Sequence, residues 1–210
     1  LSAREIPQAL SKVTDEFLIE LFVREIQDDD SVALVAVGGY GRAELAPSSD
    51  LDLMLIHKDR EDVDSLADRI WYPLWDEGFK LGHSVRSVEQ TLRLASTDLE
   101  TATSLLNARL VAGDATLLEE LLTRNEDQWV SHGLDRLDEL ARNVTRRHRL
   151  SGEVAFLLEP DLKEGRGGLR DVHAIDWAVR AGVEVPVHDH ERLAEAYQVL
   201  LEARVELHRI

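Results

Sequence analysis

The chain carries two kinds of hydrophobic pattern, and the change from one to the other divides it. Residues 4–27 place Ile6, Leu10, Val13, Phe17 and Leu21 at helical spacing, which predicts an amphipathic helix. The acidic tract Asp28-Asp29-Asp30, with Ser31, ends it. VALVAV over 32–37 is a short, continuous, valine-rich run of the kind that forms a buried strand. It stops at Gly38-Gly39-Tyr40-Gly41, after which Arg42-Ala43-Glu44-Leu45 has room for one helical turn. Pro47-Ser48-Ser49 predicts a turn, and DLDLMLIH over 50–57 a second strand. Residues 62–77 read as a helix that tolerates Pro73, with Leu66, Ile70 and Leu74 along one stripe. Gly78 stops it, and FKLGHSVR over 79–86 reads as a third strand.

From Ser87 onward the helical period dominates. Asp98 is placed to cap a helix over 99–112, Gly113-Asp114 turns the chain, and further helices are predicted over 115–124, 133–150, 170–181 and 190–210. A loop rich in glycine and charge, LLEPDLKEGRGGLRDVH at 157–173, interrupts them. The order predicts an α+β fold: a small mixed sheet of three strands with flanking helices over residues 1–114, then an all-helical bundle over 115–210. Three strands are too few for a large doubly wound sheet.

Charge changes the picture of what such a fold binds. The 210 residues hold 41 acidic against 24 basic side chains, a formal charge of −17 and a pI near 4.8. That balance argues against nucleic acid and against an anionic membrane surface, both of which need dense basic patches. An anionic substrate would have to arrive with a cation, and a divalent metal is the obvious one. Cysteine is absent, which excludes disulfides, thiolate metal sites and cysteine nucleophiles and fits a reducing, cytoplasmic setting. No apolar run approaches a membrane span, and no signal peptide opens the chain. The start at Leu1 and the helical pattern running to the last residue suggest a fragment of a longer protein.

The stretch that carries chemistry is GGYGRAELAPSSDLDL at 38–53. Side chains at i and i+2 of a strand share a face, so Asp50 and Asp52 project together while Leu51 and Leu53 turn to the core. Two carboxylates so placed repel unless a cation lies between them, and oxygen ligation of this kind suits Mg²⁺. Gly38 and Gly39 carry no Cβ, so their backbone N–H groups can approach an anion, with a short helical turn aimed at the same place. A phosphate cradle and metal ligands converging at adjacent strand ends serve phosphoryl or nucleotidyl transfer. A GG turn or a DxD strand face taken alone reads as ordinary structure. The stretch is neither a Walker A loop, lacking G-K-[ST], nor a dinucleotide fingerprint, since Glu44 stands where a third glycine belongs.

The pattern of two glycines, ten residues and D-h-D-h resembles the DNA polymerase β-type nucleotidyltransferase superfamily. AVGGYGRAELAPSSDLDLMLI, GHSVRS and LEPDLKEGRGGLRDVH together resemble, more closely, the family of bifunctional PII uridylyltransferase/uridylyl-removing enzymes of GlnD type, in that family's order and across residues 35–173. The resemblance implies a metal-binding catalytic pair at Asp50 and Asp52. It implies a triphosphate loop at Gly38 and Gly39. Arg42, Ser49 and Arg86 are further nucleotide-binding candidates near it, although an exposed strand-end arginine is the simpler account of Arg86. The resemblance implies Mg²⁺ as cofactor, a nucleoside triphosphate (UTP or ATP) as donor and a tyrosine hydroxyl of the PII signalling protein as acceptor. The uridylyl-removing HD domain and the two ACT domains of that family are not expected here. His188-Asp189 spells an HD dipeptide but reads as loop or N-cap.

Many members of the superfamily use a third carboxylate as general base, and FKLGHSVR offers none. His83, solvent, Asp76 or Glu77 remain as alternatives for that role, and a hydrogen-bonded structural histidine is the simpler account of His83. In the loop 159–171, Lys163 and Arg170 stand beside Gly167-Gly168 at a helix start, which fits an anion site or, equally, an Arg–Asp lock between the two parts. Arg142, Arg146 and Arg149 form one basic helix face, which dipole complementation at a helix C-terminus explains as well as docking does. Two other outcomes stay open: a nucleotidyltransferase of this fold with a different acceptor, and an inert regulatory nucleotide-binding module.

Overall fold

The computed structural model of the protein describes residues 1–27 and 31–209, so the acidic tract 28–30 lies outside the described residues. The chain divides into two compact units, one of residues 5–126 and one of residues 127–210 with residues 1–4. In the first unit α1 (Ile6–Ile26) leads to β1 (Val32–Ala36), a one-turn helix α2 (Gly38–Gly41), β2 (Leu51–His57), α3 (Val63–Asp76) and β3 (Leu81–Ser87). There follow α4 (Val88–Ala95), α5 (Leu99–Leu105), β4 (Arg109–Gly113) and α6 (Ala115–Ser131), which runs past the boundary.

The four strands form one mixed sheet in the order β3-β2-β1-β4. β1 runs antiparallel to both β2 and β4, whereas β2 and β3 are parallel and joined by α3 as crossover. Alternation along β1 and β2 decides the two faces. Val32, Leu34 and Ala36 with Leu51, Leu53 and Leu55 join a core built with Leu18, Leu21 and Phe22 of α1 and Leu66, Ile70, Trp71 and Leu74 of α3. Ala33, Val35, Met54 and Ile56 on the other face are buried as well, so β1 reads as a continuous apolar run rather than an alternating one. Caps set the helix starts where the sequence places them. Ser87 and Gln90 close a capping box on α4, and the Asp98 carboxylate accepts the Thr101 N–H at 2.7 Å at the start of α5.

The sheet has one strand more than the pattern predicts. The helix expected over 99–112 ends at Leu105, and 109–113 becomes β4, paired with Val35 and Ala36 of β1. Local periodicity favours helix there. The buried second edge of β1, whose N–H and C=O groups need partners, decides for strand, and that demand comes from residues some seventy positions away. The helical turn expected at 42–45 instead starts at Gly38, and Ala43 adopts a positive φ of 57°.

The second unit contains α7 (Gly133–Ser151), α8 (Leu169–Arg180) and α9 (Val187–Leu207). Its buried residues include Trp129, Leu140, Leu169, Ala174, Trp177, Leu201 and Val205. The Trp129 indole N–H donates to the Trp177 carbonyl at 3.0 Å, and the Arg136 guanidinium lies 5.7 Å from the Trp129 ring centre. His188 and Asp189, expected in a loop or cap, fall in the first turn of α9, because Pro186 supplies the N-cap. No helix of the described residues is long and apolar enough to cross a membrane.

Candidate active site

Asp52 is the second residue of β2, where burial of Leu51 and Leu53 in the core turns its side chain to the opposite face. Two glycines make room for it. A Cβ placed on Gly82, its in-register neighbour on β3, would lie 2.3 Å from Asp52 Oδ1. A Cβ placed on Gly38 would lie 2.9 Å from Asp52 Oδ2. The carboxylate therefore occupies a cradle that a side chain at either position would fill. Gly38 also has φ +59°, a conformation that only glycine adopts freely. The backbone holds this junction in place, for Val37 N–H donates to the Asp52 carbonyl at 3.1 Å and Leu51 N–H to the Lys80 carbonyl at 2.8 Å.

Asp50 immediately precedes β2 rather than opening it, and it is exposed. Next in sequence, the Ser49 hydroxyl oxygen is buried with no hydrogen-bond partner among the described residues, an arrangement that costs free energy unless a ligand completes it. Arg42 folds back so that its Nη2 comes 3.9 Å from a Cβ built on Gly39, and its Nε donates to Glu44 at 2.7 Å. On β3 the residues alternate around Gly82. Ser84 and Arg86 share the Asp52 face, opposite Met54 and Ile56, and Arg86 forms no ion pair among the described residues.

His83 lies on the other face, opposite Leu53, with its ring 5.4 Å from Trp71 and 5.3 Å from Trp75. β3 thus offers neither acid nor base beside Asp52. Lys163 and Arg170 belong to the second unit. Lys163 is an exposed loop residue, and Arg170 pairs with Glu164 at 3.3 Å. Their loop closes on Asp171, whose carboxylate accepts the Gly167 N–H at 2.8 Å and pairs with Arg147 and His148 of α7. The Arg–Asp lock is therefore present, and it joins α7 to α8 inside one unit. Arg142, Arg146 and Arg149 line an open groove of about 500 Å³ along α7.

Sequence reasoning passed over three residues that hold the glycine turn. Tyr40 is buried and donates its hydroxyl proton to Asp15 of α1 at 2.5 Å. Arg109 of β4 meets the same carboxylate at 2.9 and 3.0 Å and lies 5.2 Å from the Tyr40 ring centre. Burial first, and the Asp15 carboxylate second, push the Tyr40 hydroxyl far above the usual phenol range, so it stays a donor. The signal was absent from sequence because the three residues are 25 and 94 positions apart.

The donor set fits a hard divalent cation. Asp52 in its cradle and the exposed Asp50 two residues earlier match in number and type the one or two carboxylates that Mg²⁺ takes when phosphate oxygens supply the rest. Among the described residues no group of three or more metal-ligating side chains forms a closed cage.

Residues 135–210 match the family described as "GlnD PII-uridylyltransferase", and residues 1–85 match the family described as "Putative nucleotidyltransferase DUF294". The chain is 47% identical over 205 residues to the bifunctional uridylyltransferase/uridylyl-removing enzyme of Streptomyces coelicolor, covering 96% of this chain and 24% of that protein. It is 42% identical over 193 residues to the enzyme of the same name from Mycobacterium tuberculosis, covering 88% and 24%. For the Caulobacter vibrioides protein of that name the figures are 36% over 188 residues, with 84% and 20% covered. The chain thus spans about a quarter of the length of the curated relatives it matches. A solved structure titled "Crystal structure of the toxin-antitoxin with AMP-PNP" shares 11% identity at a TM-score of 0.41, covering 61% of this chain and 96% of that one.

Proposed function

The chain belongs to the family of bifunctional uridylyltransferase/uridylyl-removing enzymes, and from that premise we propose that it is their nucleotidyltransferase portion, with residues 1–114 as the transferring domain. It moves a nucleoside monophosphate, UMP from UTP, to a tyrosine hydroxyl of the PII signalling protein in the cytoplasm. The observation that carries the reading is the Asp52 carboxylate cradled between Gly38 and Gly82 at adjacent strand ends.

The acceptor hydroxyl oxygen attacks the α-phosphorus. A new phosphorus–oxygen bond forms as the bond to the bridging oxygen breaks, pyrophosphate leaves, and the hydroxyl proton passes to solvent. The Gly38–Gly39 turn receives the triphosphate on backbone N–H groups, since no Cβ keeps the phosphates at a distance. Arg86 on the Asp52 face and Arg42 beside Gly39 meet phosphate charge, and the Ser49 hydroxyl gains the partner it lacks among the described residues. Asp50 and Asp52 would hold Mg²⁺, which when bound supplies Lewis-acid polarisation of the phosphate oxygens. Asp52 sits between Gly38 and Gly82, whose missing side chains leave its carboxylate room to reach the cation.

The test is transfer of labelled UMP to purified PII by the chain and by Asp52→Asn. That substitution keeps the side-chain shape and removes the charge, so the expected outcome is a loss of about 10³-fold or more with an unchanged circular-dichroism melt. Labelling by Asp52→Asn at the wild-type rate would overturn the assignment.

A further inference from the structure

β3 ends the sheet, so its outer edge presents backbone N–H and C=O groups that no strand among the described residues takes up. Natural proteins blunt such edges with proline, bulges or inward charges, and β3 carries a glycine and a histidine, both exposed, as its second and third residues. On one face the Asp52 carboxylate leans across Gly82, toward this edge. On the other face His83 packs with Trp71 and Trp75, and the surface around them is aromatic. Tyr72 is 58% exposed, Trp75 41% and Phe79 36%. Tyr72 and Trp75 meet edge to face with centroids 5.5 Å apart, and Phe79 stacks on Phe17 at 5.9 Å. In a chain with 5% aromatic residues, this gathering of large exposed rings is a surface built for contact.

We propose that the outer edge of β3 and the Tyr72–Trp75–Phe79 patch dock the acceptor protein, which lays an extended segment alongside β3. The inference rests on the transfer reading above and names where its acceptor binds. Strand addition would take up the idle backbone groups, while the aromatic patch receives the side chains of the opposite face. Geometry favours a segment bearing a tyrosine. An added strand lies about 4.8 Å from β3, and a tyrosine side chain on the Asp52 face is longer than that spacing. It passes over Gly82, where no side chain bars the way, and its hydroxyl arrives at the carboxylate that leans to meet it. Any residue larger than glycine at position 82 would wall the edge off from the site. The patch supplies the rigid aromatic anchors that dominate protein interfaces.

Two measurements test the docking surface. Hydrogen exchange of the chain with and without purified PII should show amides 81–87 slowed at least tenfold in the complex. In steady-state transfer, Tyr72→Ala and Trp75→Ala should each raise the KM for PII about tenfold and leave the KM for UTP unchanged. Tyr72, the more exposed, carries the test should Trp75→Ala fold poorly. Transfer with amides 81–87 unprotected and the acceptor KM unchanged would overturn the proposal. So would protection of those amides without PII, which would mean that a second copy of the chain occupies the edge. Protection by PII with no transfer by the wild-type chain would support the docking surface and count against the transfer reading.

Discussion

At the scale of single residues, the site depends on glycines whose roles differ according to what they face. A Cβ on Gly41 would come 2.4 Å from the Asn107 carbonyl oxygen and 3.0 Å from that of Ala36, both fixed backbone. A Cβ on Gly82 would meet only the tip of the Asp52 side chain, which can rotate away. Gly41→Ala should therefore destabilise the first unit by about 2–3 kcal/mol, as overpacking against backbone does. Gly82→Ala should leave the melting temperature nearly unchanged and cost about 10²-fold in transfer, because a carboxylate displaced by an ångström no longer orients the reacting groups. Urea denaturation and transfer kinetics on the two variants check both halves. Sequence brings the carboxylate pair and the first two glycines of the proposed site together, since both sit inside one stretch of sixteen residues. Gly82 was not legible as a site residue, because its role exists only through its register with Asp52. Tyr40, Asp15 and Arg109 were hidden for the same reason.

At the scale of elements, the strands with unbroken apolar runs and the helices with clear caps were readable, and the segment whose state is set by a distant partner was not. β4 is that segment: Leu110-Val111-Ala112 suits either period, and β1 chooses. The loop between α7 and α8 shows the opposite case, in which charged residues that looked available for ligands close a structural lock. Burial works to raise the Asp171 pKa. The Gly167 N–H, His148 and Arg147 outweigh it and hold the carboxyl below its ordinary value of 3.8. A carboxyl depressed in the folded state contributes stability that is fully present above about pH 4 and lost as pH falls through its folded value. Asp171→Asn should destabilise the helical unit by about 2 kcal/mol at pH 7, the cost of charged hydrogen bonds removed from a half-buried arginine. The gap between wild type and variant should narrow as pH falls through the depressed folded value of Asp171, below which the wild-type carboxyl is neutral too. Chemical denaturation at a series of pH values from 7 downward measures it, and a gap that does not narrow with acid would assign the loss to packing.

For the molecule as a whole, the charge of −17 and the proposed substrate pull against each other. A nucleoside triphosphate approaching a strongly acidic chain meets repulsion at long range, and at the end of its path the carboxylates of Asp50 and Asp52. Groups near the site that can answer it are the backbone N–H groups of the glycine turn, Arg42, and Arg86, which forms no ion pair among the described residues. Arg42 is already engaged with Glu44 at 2.7 Å, so protein cations alone leave the balance unfavourable. Nucleotide binding should therefore depend on a divalent cation far more steeply than in a basic protein. Ligand binding raises stability by RT ln(1 + [L]/Kd), about 1.4 kcal/mol at ten times Kd. For a chain of this size that is a rise of roughly 3–6 °C in the melting temperature of the first unit. UTP with Mg²⁺ should produce that rise, and UTP with excess chelator should produce less than about 1 °C. Asp52→Asn should flatten the difference between the two conditions, because it removes one of the two carboxylates that would hold the cation. A full shift with chelator present would mean that the backbone turn and the two arginines hold the triphosphate by themselves, and the acidic pair would then need another purpose.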